Sequence, residues 1–382
     1  MNKKVLVIGC TGTMGRALVD YWVHKEYNTW GICRNKCAMN GSAHYIYGDA
    51  TNIDFMKYVL ESACYDAIVD FMWYDHKIFA NQIGLLLAST KHYICLSSCA
   101  VSAHSNTSIK ETDPRFFDVV SESEKNDIGW HYHLEKARIE NIIRLQEHRN
   151  WSIIRPHVTI NSNHMPLTIW GEDVWLWRAV HNLPIIVYED LLKPISSYTI
   201  AGDVAQMIDA IINNGASSFG ETYNVVSDTV LSGEQLLNMY IEILQKQGVQ
   251  MKVVRFKDSS SYYQWSPSGA ERITFDRAKD RVFDNTKIKE IANFEFENFE
   301  ESLSKCVSLW LNQNNSNYIP PQYINEMAFI DRMTNTRTPL KYFRTRKAKK
   351  NYIIYRNPPL NGLYNKFFQP LVQIVKKIIG DK

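Results

Sequence analysis

The sequence predicts an α/β fold built on a doubly wound parallel sheet. Short apolar runs alternate with amphipathic helical stretches through the first 156 residues, which is the pattern of parallel strands joined by helices. A glycine-rich turn separates the first run from the first helical stretch. Past Arg155-Pro156 the pattern loosens into loops and tryptophans, as a second, smaller domain would. We expect a sheet domain over 1–156, to which parts of the later chain return. A second domain over 157–315 and a basic tail over 316–382 follow.

Val5 and Val7 make Lys4–Ile8 a buried strand. The turn Gly9-Cys10-Thr11-Gly12-Thr13-Met14-Gly15 follows, and Ala17, Leu18, Tyr21 and Trp22 give Arg16–Glu26 a helical period. Thr29–Cys33 and Ala43–Tyr47 read as strands, Phe55–Ala63 as a helix and Ala67–Phe71 as a strand. Lys77–Ser89 reads as a helix and Tyr93–Leu96 as a strand. Trp130–His148 is a long helix with Leu134, Ala137, Ile139, Ile142, Ile143 and Leu145 as its apolar positions, and Ser152–Ile154 closes the series as a strand.

At 382 residues the chain exceeds one small domain, and 45% hydrophobic content with 22% charge is that of a globular protein with a core. The seven cysteines are odd in number, and Cys33 and Cys37 have no second pair or His cluster to complete a zinc site. We therefore expect no metal and a reducing cytoplasm. Met1–Lys4 leads straight into a strand without the apolar region of a signal peptide. Charge is uneven: from Arg337 onward twelve lysines and arginines face one acid, Asp381. Such a segment seeks an anionic partner.

Gly9, Gly12 and Gly15 between a strand and a helix suit a dinucleotide. Glycines let the backbone approach a pyrophosphate, and the helix N-terminus offers free N–H groups and a partial positive charge. Thr11, Thr13 and Met14 complete this cradle. The end of the second strand selects the cofactor. An acid there would bind the ribose 2′-hydroxyl, whereas Arg34 and Lys36 suit a 2′-phosphate. NADP is expected, with NAD as the alternative. Asp49, with Ala50 beside it, is placed to contact the adenine or to form a surface turn.

Tyr132 and Lys136 form YxxxK, and on a helix positions i and i+4 share a face. The ammonium there favours the phenolate, and the tyrosine can exchange a proton with a hydroxyl or carbonyl. Tyr21 and Lys25 match the same pattern but sit on the helix after the glycine turn, where they read as structural. Order along the fold separates the two. Tyr132 follows the fifth strand, at whose carboxyl end lie Ser97 and Ser98. Ser98 is the candidate to hydrogen-bond the substrate oxygen, with Ser97 as the alternative.

These pieces resemble the extended short-chain dehydrogenases, the family of nucleotide-sugar epimerases, dehydratases and reductases. The matching segments, in family order over roughly 3–312, are Gly9–Gly15, Asp49, Ser97-Ser98, Glu111–Pro114, Tyr132 to Lys136, Ile154–Pro156, Gly202–Ala205, Glu221–Val225 and Asp284 to Lys287, with a closing helix to Trp310. The resemblance implies a Rossmann-type domain, a C-terminal domain gripping a nucleoside diphosphate, and a homodimer. It places Phe71 and Met72 at the nicotinamide floor, and Pro156 and His157 beside the cofactor, His157 reading equally as a packed loop residue. Trp73, Arg277 and Arg281 are placed toward the substrate. Arg272, Trp170, Trp175 and Trp177 are further residues of that domain, the last two reading as core. Asp203 reads as the cap of a helix beginning at Val204.

The chain also departs from the family. Cys99-Ala100-Val101-Ser102 follows the serines without the acid that dehydratases carry. The segment between Ser98 and Tyr132 is long and bears Glu122, Glu124, Lys125 and Asp127, as a lid or a solvated loop would. Leu363, Phe367, Leu371, Ile374, Val375, Ile378 and Ile379 form an apolar helical face after the basic run Arg344–Lys350. The expectation is an NAD(P)-dependent epimerase or ketoreductase of nucleotide-linked sugars, serving cell-surface polysaccharide synthesis. It would be cytoplasmic, with residues 337–382 a candidate contact for an anionic membrane surface. The alternative is a non-catalytic NAD(P)-binding protein associated with RNA or membrane; nucleic acid is the less favoured partner.

Overall fold

The computed structural model describes residues 3–36, 41–61, 64–123, 125, 131–266, 273–313 and 318–357. They form two compact units. Unit 1 takes in Met1–His164, Pro194–Gly233 and Ser268–Cys306; unit 2 takes in Met165–Lys193, Glu234–Pro267 and Val307–Lys382.

Unit 1 is organised by a seven-stranded sheet: β1 (Lys4–Ile8), β2 (Asn28–Cys33), β3 (His44–Tyr47), β4 (Ala67–Asp70), β5 (Tyr93–Leu96), β6 (Trp151–Arg155) and β7 (Glu221–Asn224). The order is β7-β6-β5-β4-β1-β2-β3, and every pairing is parallel. The winding reverses between β1 and β4, so the carboxyl ends of those two strands form the switch point at which such sheets take their ligands.

Alternation along each strand assigns the two faces. Val5, Val7 and Val69 pack with Leu18 and Trp22 of α1 (Thr13–His24). They share that cluster with Val204, Met207 and Ile211 of a helix spanning Ala201–Asn213. Leu6, Ile8 and Ile68 pack on the other face with Met56 of α2 (Ile53–Glu61), Ile83 and Leu86 of α3 (His76–Ala88), and Ile139 and Ile143 of α4 (His131–Arg144). Outside this sheet, Val158–Ile160 runs parallel to Ile195–Ile200, which pairs antiparallel with Val230–Ser232.

One helix start differs from expectation. The helix Ala201–Asn213 runs directly out of the strand ending at Ile200, so Ile200 is its N-cap and Asp203 lies inside the first turn. Asp203 instead accepts the Glu297 backbone N–H at 3.1 Å.

In unit 2, Ile185–Tyr188 pairs parallel with Val253–Phe256. Trp175 and Trp177 are core residues, and Trp175 Nε1 donates to the Met165 carbonyl at 2.7 Å. The stretch from 318 to 357, expected as the start of the tail, is folded. Its helices are Ile324–Met333 and Arg346–Arg356. Asp331 anchors it, accepting from Arg178 Nη2 at 2.7 Å, the Thr338 N–H at 2.7 Å and the Tyr352 hydroxyl at 2.6 Å. The apolar face over 363–379 lies outside the described residues. Among those described, no helix is long and apolar enough to cross a membrane.

Candidate active site

The glycine turn stands at the carboxyl end of β1. Gly9 has φ +77°, a left-handed conformation that favours glycine, and a Cβ on Gly15 would lie 2.4 Å from the Gly9 carbonyl oxygen. These two positions are therefore closed to side chains by backbone geometry. Gly12 caps α1 without a side-chain partner, and no acid occupies the first turn, so the helix end keeps its positive character. Thr11 and Gly12 are exposed, while Thr13 and Met14 are half-buried. Asn161 Nδ2 braces the turn by donating to the Thr13 carbonyl at 3.0 Å.

The Phe71 N–H donates to the Ile8 carbonyl at 3.0 Å, and a Cβ at Gly9 would meet Phe71 at 3.5 Å and Met72 Sδ at 3.6 Å. Phe71 and Met72 therefore border the turn. Arg34 and Lys36 are exposed past the end of β2. Asp49 accepts the Thr51 N–H at 3.0 Å and hydroxyl at 2.8 Å, and these bonds, with the Arg34 charge, hold its carboxyl below the usual range. Ala50 is buried, and its carbonyl accepts Gln82 Nε2 at 3.1 Å.

Helix α4 carries Tyr132, 40% exposed, and Lys136, 2% exposed. Lys136 Nζ donates to the carbonyl of Leu96, the last residue of β5, at 3.0 Å. Ser97 and Ser98 come next in the chain. Ser98 Oγ accepts the Ala100 N–H at 3.1 Å, capping the short turn Cys99–Val101. That turn is tied to β6, since the Cys99 N–H donates to the Pro156 carbonyl and its thiol to the Arg155 carbonyl, both at 2.9 Å. The look-alike pair behaves otherwise. Lys25 Nζ donates to Asp209 Oδ2 at 2.7 Å and lies 5.1 Å from the Tyr21 ring centroid, a structural link from α1 to Ala201–Asn213.

Sequence reasoning missed the charges beneath α4. Glu140, one turn past Lys136, is fully buried and takes a fork from Arg155: Nε to Oε1 at 2.8 Å and Nη2 to Oε2 at 2.7 Å. Arg115 Nη1 adds a third bond at 3.1 Å. Burial opposes the charge, but Arg155 and Arg115 hold the Glu140 carboxyl at about 2. The available signal was spacing, since Tyr132, Lys136 and Glu140 share one helix face.

Asp70, ending β4, was read only as strand. It accepts from the Met72 N–H at 2.9 Å, the Tyr74 hydroxyl at 3.0 Å and the Tyr93 hydroxyl at 2.9 Å. Burial pushes the Lys136 ammonium down, while Cys95, Asp70 and Glu140 oppose that shift.

The expected substrate residues have different surroundings. Trp73 is 53% exposed, its ring edge-on to His131 at 6.0 Å. Arg281 is fully buried and donates to the carbonyls of Cys99 and Ser102 at 3.0 Å and of Ala103 at 3.3 Å, which holds the loop after Ser98. Arg277 Nε lies 3.4 Å from Asp276 Oδ2. The His157 side chain is buried, 4.9 Å from the Phe283 ring and 3.8 Å from Asp276 Oδ1. Pro156 is buried as well. Arg272 lies outside the described residues, as do Glu124 and Asp127.

Among the described residues, Asp75, His76 and Glu135 bring candidate metal-ligand atoms within 4.8 Å of one another. Glu135 is already engaged there, accepting His76 Nδ1 at 2.8 Å and the His76 N–H at 3.1 Å, which joins the start of α3 to α4.

Residues 5–82 match the model of the NAD dependent epimerase/dehydratase family. No curated protein matches the chain by sequence. Solved structures share its fold. Bordetella bronchiseptica WbmH, in complex with NAD+, is 11% identical with a TM-score of 0.62, covering 82% of this chain and 99% of its own. Epimerase Mth375 from Methanothermobacter thermautotrophicus is 14% identical with a TM-score of 0.62, covering 82% and 93%. The UDP-glucuronic acid 4-epimerase from Bacillus cereus, in complex with NAD, is 14% identical with a TM-score of 0.58, covering 81% and 99%. Residues 5–82 are thus similar to the epimerase/dehydratase family, and the shared fold extends over about four-fifths of the chain.

Burial raises the Asp70 carboxyl to about 6 from 3.8, outweighing its three hydrogen bonds and the Lys136 charge. Folded Asp70 thus holds its proton more tightly than the unfolded chain does, and its contribution to stability falls as pH rises from 3.8 through about 6. Asp70→Asn removes this dependence. From pH 4 to pH 7 the wild type should lose about 2–3 kcal/mol relative to the variant. Urea midpoints at the two pH values test it, and parallel losses in both proteins would refute it.

Proposed function

We propose that the chain is an NADP-dependent epimerase or ketoreductase acting on a nucleotide-linked sugar. The observation that carries this reading is Lys136, a buried cation held on the Leu96 carbonyl one helical turn from the accessible Tyr132. Burying an ammonium costs several kcal/mol, and here its position at the strand end leading into Ser98 has a chemical use.

The residues of the Gly9–Gly15 turn fit a dinucleotide, whose nicotinamide supplies the hydride acceptor or donor when bound. Ser98 Oγ hydrogen-bonds the reacting oxygen of the substrate. Tyr132 takes the proton of a sugar hydroxyl or returns it to a carbonyl, and the Lys136 charge favours the phenolate. In an epimerase this relay runs forward and then back with no net redox; in a reductase Tyr132 acts once, as the acid. The solved relatives in complex with NAD support a nicotinamide dinucleotide, and the UDP-glucuronic acid epimerase supports a sugar nucleotide. Arg34 and Lys36 favour the 2′-phosphate and so NADP.

We place the enzyme in the cytoplasm, at the inner membrane surface. The support is a basic face on Arg346–Arg356: Arg346, Lys347 and Lys350 are exposed beside Arg344, and that helix contains no acid.

Tyr132→Phe should lower turnover about 10²–10⁴-fold and leave cofactor affinity unchanged. A panel of nucleotide sugars, followed for NADPH oxidation and for isomerisation without net redox, measures it. Unchanged turnover would sink the reading. Arg34→Ala with Lys36→Ala should weaken NADP about tenfold or more and spare NAD, as read by calorimetry. Equal NAD and NADP binding by the wild type would remove the NADP assignment.

Anionic vesicles should bind the full chain in a salt-sensitive manner. Binding should fall when Arg344, Arg346, Lys347 and Lys350 are changed to Glu. Equal binding to neutral vesicles would overturn the surface assignment.

A further inference from the structure

Asp70 is a buried acid that the proton relay does not use, and the sheet register sets it beneath Lys136. In the parallel pairing of β4 with β5, Asp70 stands opposite Cys95, and Leu96 is the next residue of β5. Adjacent strands lie about 4.8 Å apart. Lys136 Nζ is seated on that Leu96 carbonyl at 3.0 Å. Asp70 also faces the same side of the sheet as α4. Its Oδ2 accepts from the Tyr74 and Tyr93 hydroxyls, and both tyrosines belong to the core that the sheet shares with α2, α3 and α4.

The groups around the ammonium divide by charge. Cys95, Asp70 and Glu140 face Lys136 from β5, β4 and its own helix, and Tyr132 lies one turn back on that helix. Burial pushes the Cys95 thiol up, so it is neutral near pH 7. Glu140 is charged, but Arg155 meets it with two bonds and Arg115 with a third. Asp70 is met by neutral donors, the Met72 N–H and the two hydroxyls, and Lys136 is the cation that acts on it. Burial, with Asp70 beside them, keeps Tyr74 and Tyr93 in their neutral forms.

We propose that Asp70 is a positioning residue for the relay: its carboxylate keeps the proton on Lys136 and so sets the upper edge of the pH range in which Tyr132 works. Burial by itself favours the neutral amine, which gives a phenolate no support. An opposite charge about one strand spacing away counters that loss. Burial leaves the Asp70 carboxyl at about 6, so it is ionised near pH 7 and above. Its ionisation lowers the stability of the fold as pH rises, so packing does not account for the charge.

This inference rests on the proposed relay, and the test separates the two. Profiles of kcat/KM against pH are measured with UDP-glucose, UDP-galactose and UDP-glucuronic acid, in the presence of NADP or NAD. In Asp70→Asn the alkaline limb should move down by about one pH unit or more. Tyr93→Phe removes one bond to Asp70 but keeps its carboxylate, and should leave that limb in place. A second measurement needs no turnover. Coupling between two sites is reciprocal, so Lys136→Met should move the titration of Asp70, followed by carboxyl carbon NMR, to higher pH by a similar amount. It decides the matter if Asp70→Asn fails to fold. A lower rate with an unmoved limb in Asp70→Asn, or an Asp70 titration unmoved in Lys136→Met, overturns the inference and leaves the relay standing. Failure of every sugar nucleotide to turn over overturns the relay, and the role of Asp70 falls with it.

Discussion

Glu140 brings a full negative charge into the interior of unit 1, and the candidate site depends on how that charge is met. The Arg155 guanidinium meets it with two parallel bonds, and Arg115 adds a third. Arg155 ends β6, so the fork clamps α4 onto the sheet at one register. One turn back, that register brings Lys136 Nζ to the Leu96 carbonyl. Another turn back, it leaves Tyr132 accessible at the rim. Such a pair adds little net stability against an apolar substitute, because desolvation cancels much of the attraction. Its value here is orientation. Removing either partner would strand a buried charge, so the helix has no cheap alternative seat.

The electrostatics around Lys136 follow the same logic. An ammonium withdrawn from water loses its proton more easily, and the acidic groups facing it counter that tendency. Asp70 is part of this balance, yet it stands among two tyrosine hydroxyls and a backbone N–H that share its charge. The candidate site thus couples a strand end beside the glycine turn to the helix that carries Tyr132 and Lys136.

Much of this was legible in the sequence because it is local. The glycine turn, the apolar strands and the Tyr132–Lys136 spacing are each written within a few residues, and backbone geometry at Gly9 and Gly15 explains why those positions read so clearly. What could not be read is non-local. Asp276 is more than one hundred residues from His157 in the chain, and only the fold brings them to 3.8 Å. Arg281 was placed toward the substrate with Arg277, but its guanidinium donates to three backbone carbonyls. The stretch 318–357 read as tail from its charge, while its fold is set by single residues such as Asp331 and Tyr352 that no compositional average reports.

The interleaving of unit 1 has a consequence for how this site can be moved or copied. Its three stretches, ending at His164, Gly233 and Cys306, are separated in the chain by segments of unit 2. β7 comes from the second stretch and covers the flank of β6. A fragment ending near residue 156 would therefore carry the whole glycine turn and the Tyr132 helix, yet leave β6 as an open sheet edge prone to pairing with other chains. The glycine-turn unit is thus no portable cassette, and recombination with proteins of the same fold would preserve it only with crossovers at several matched points.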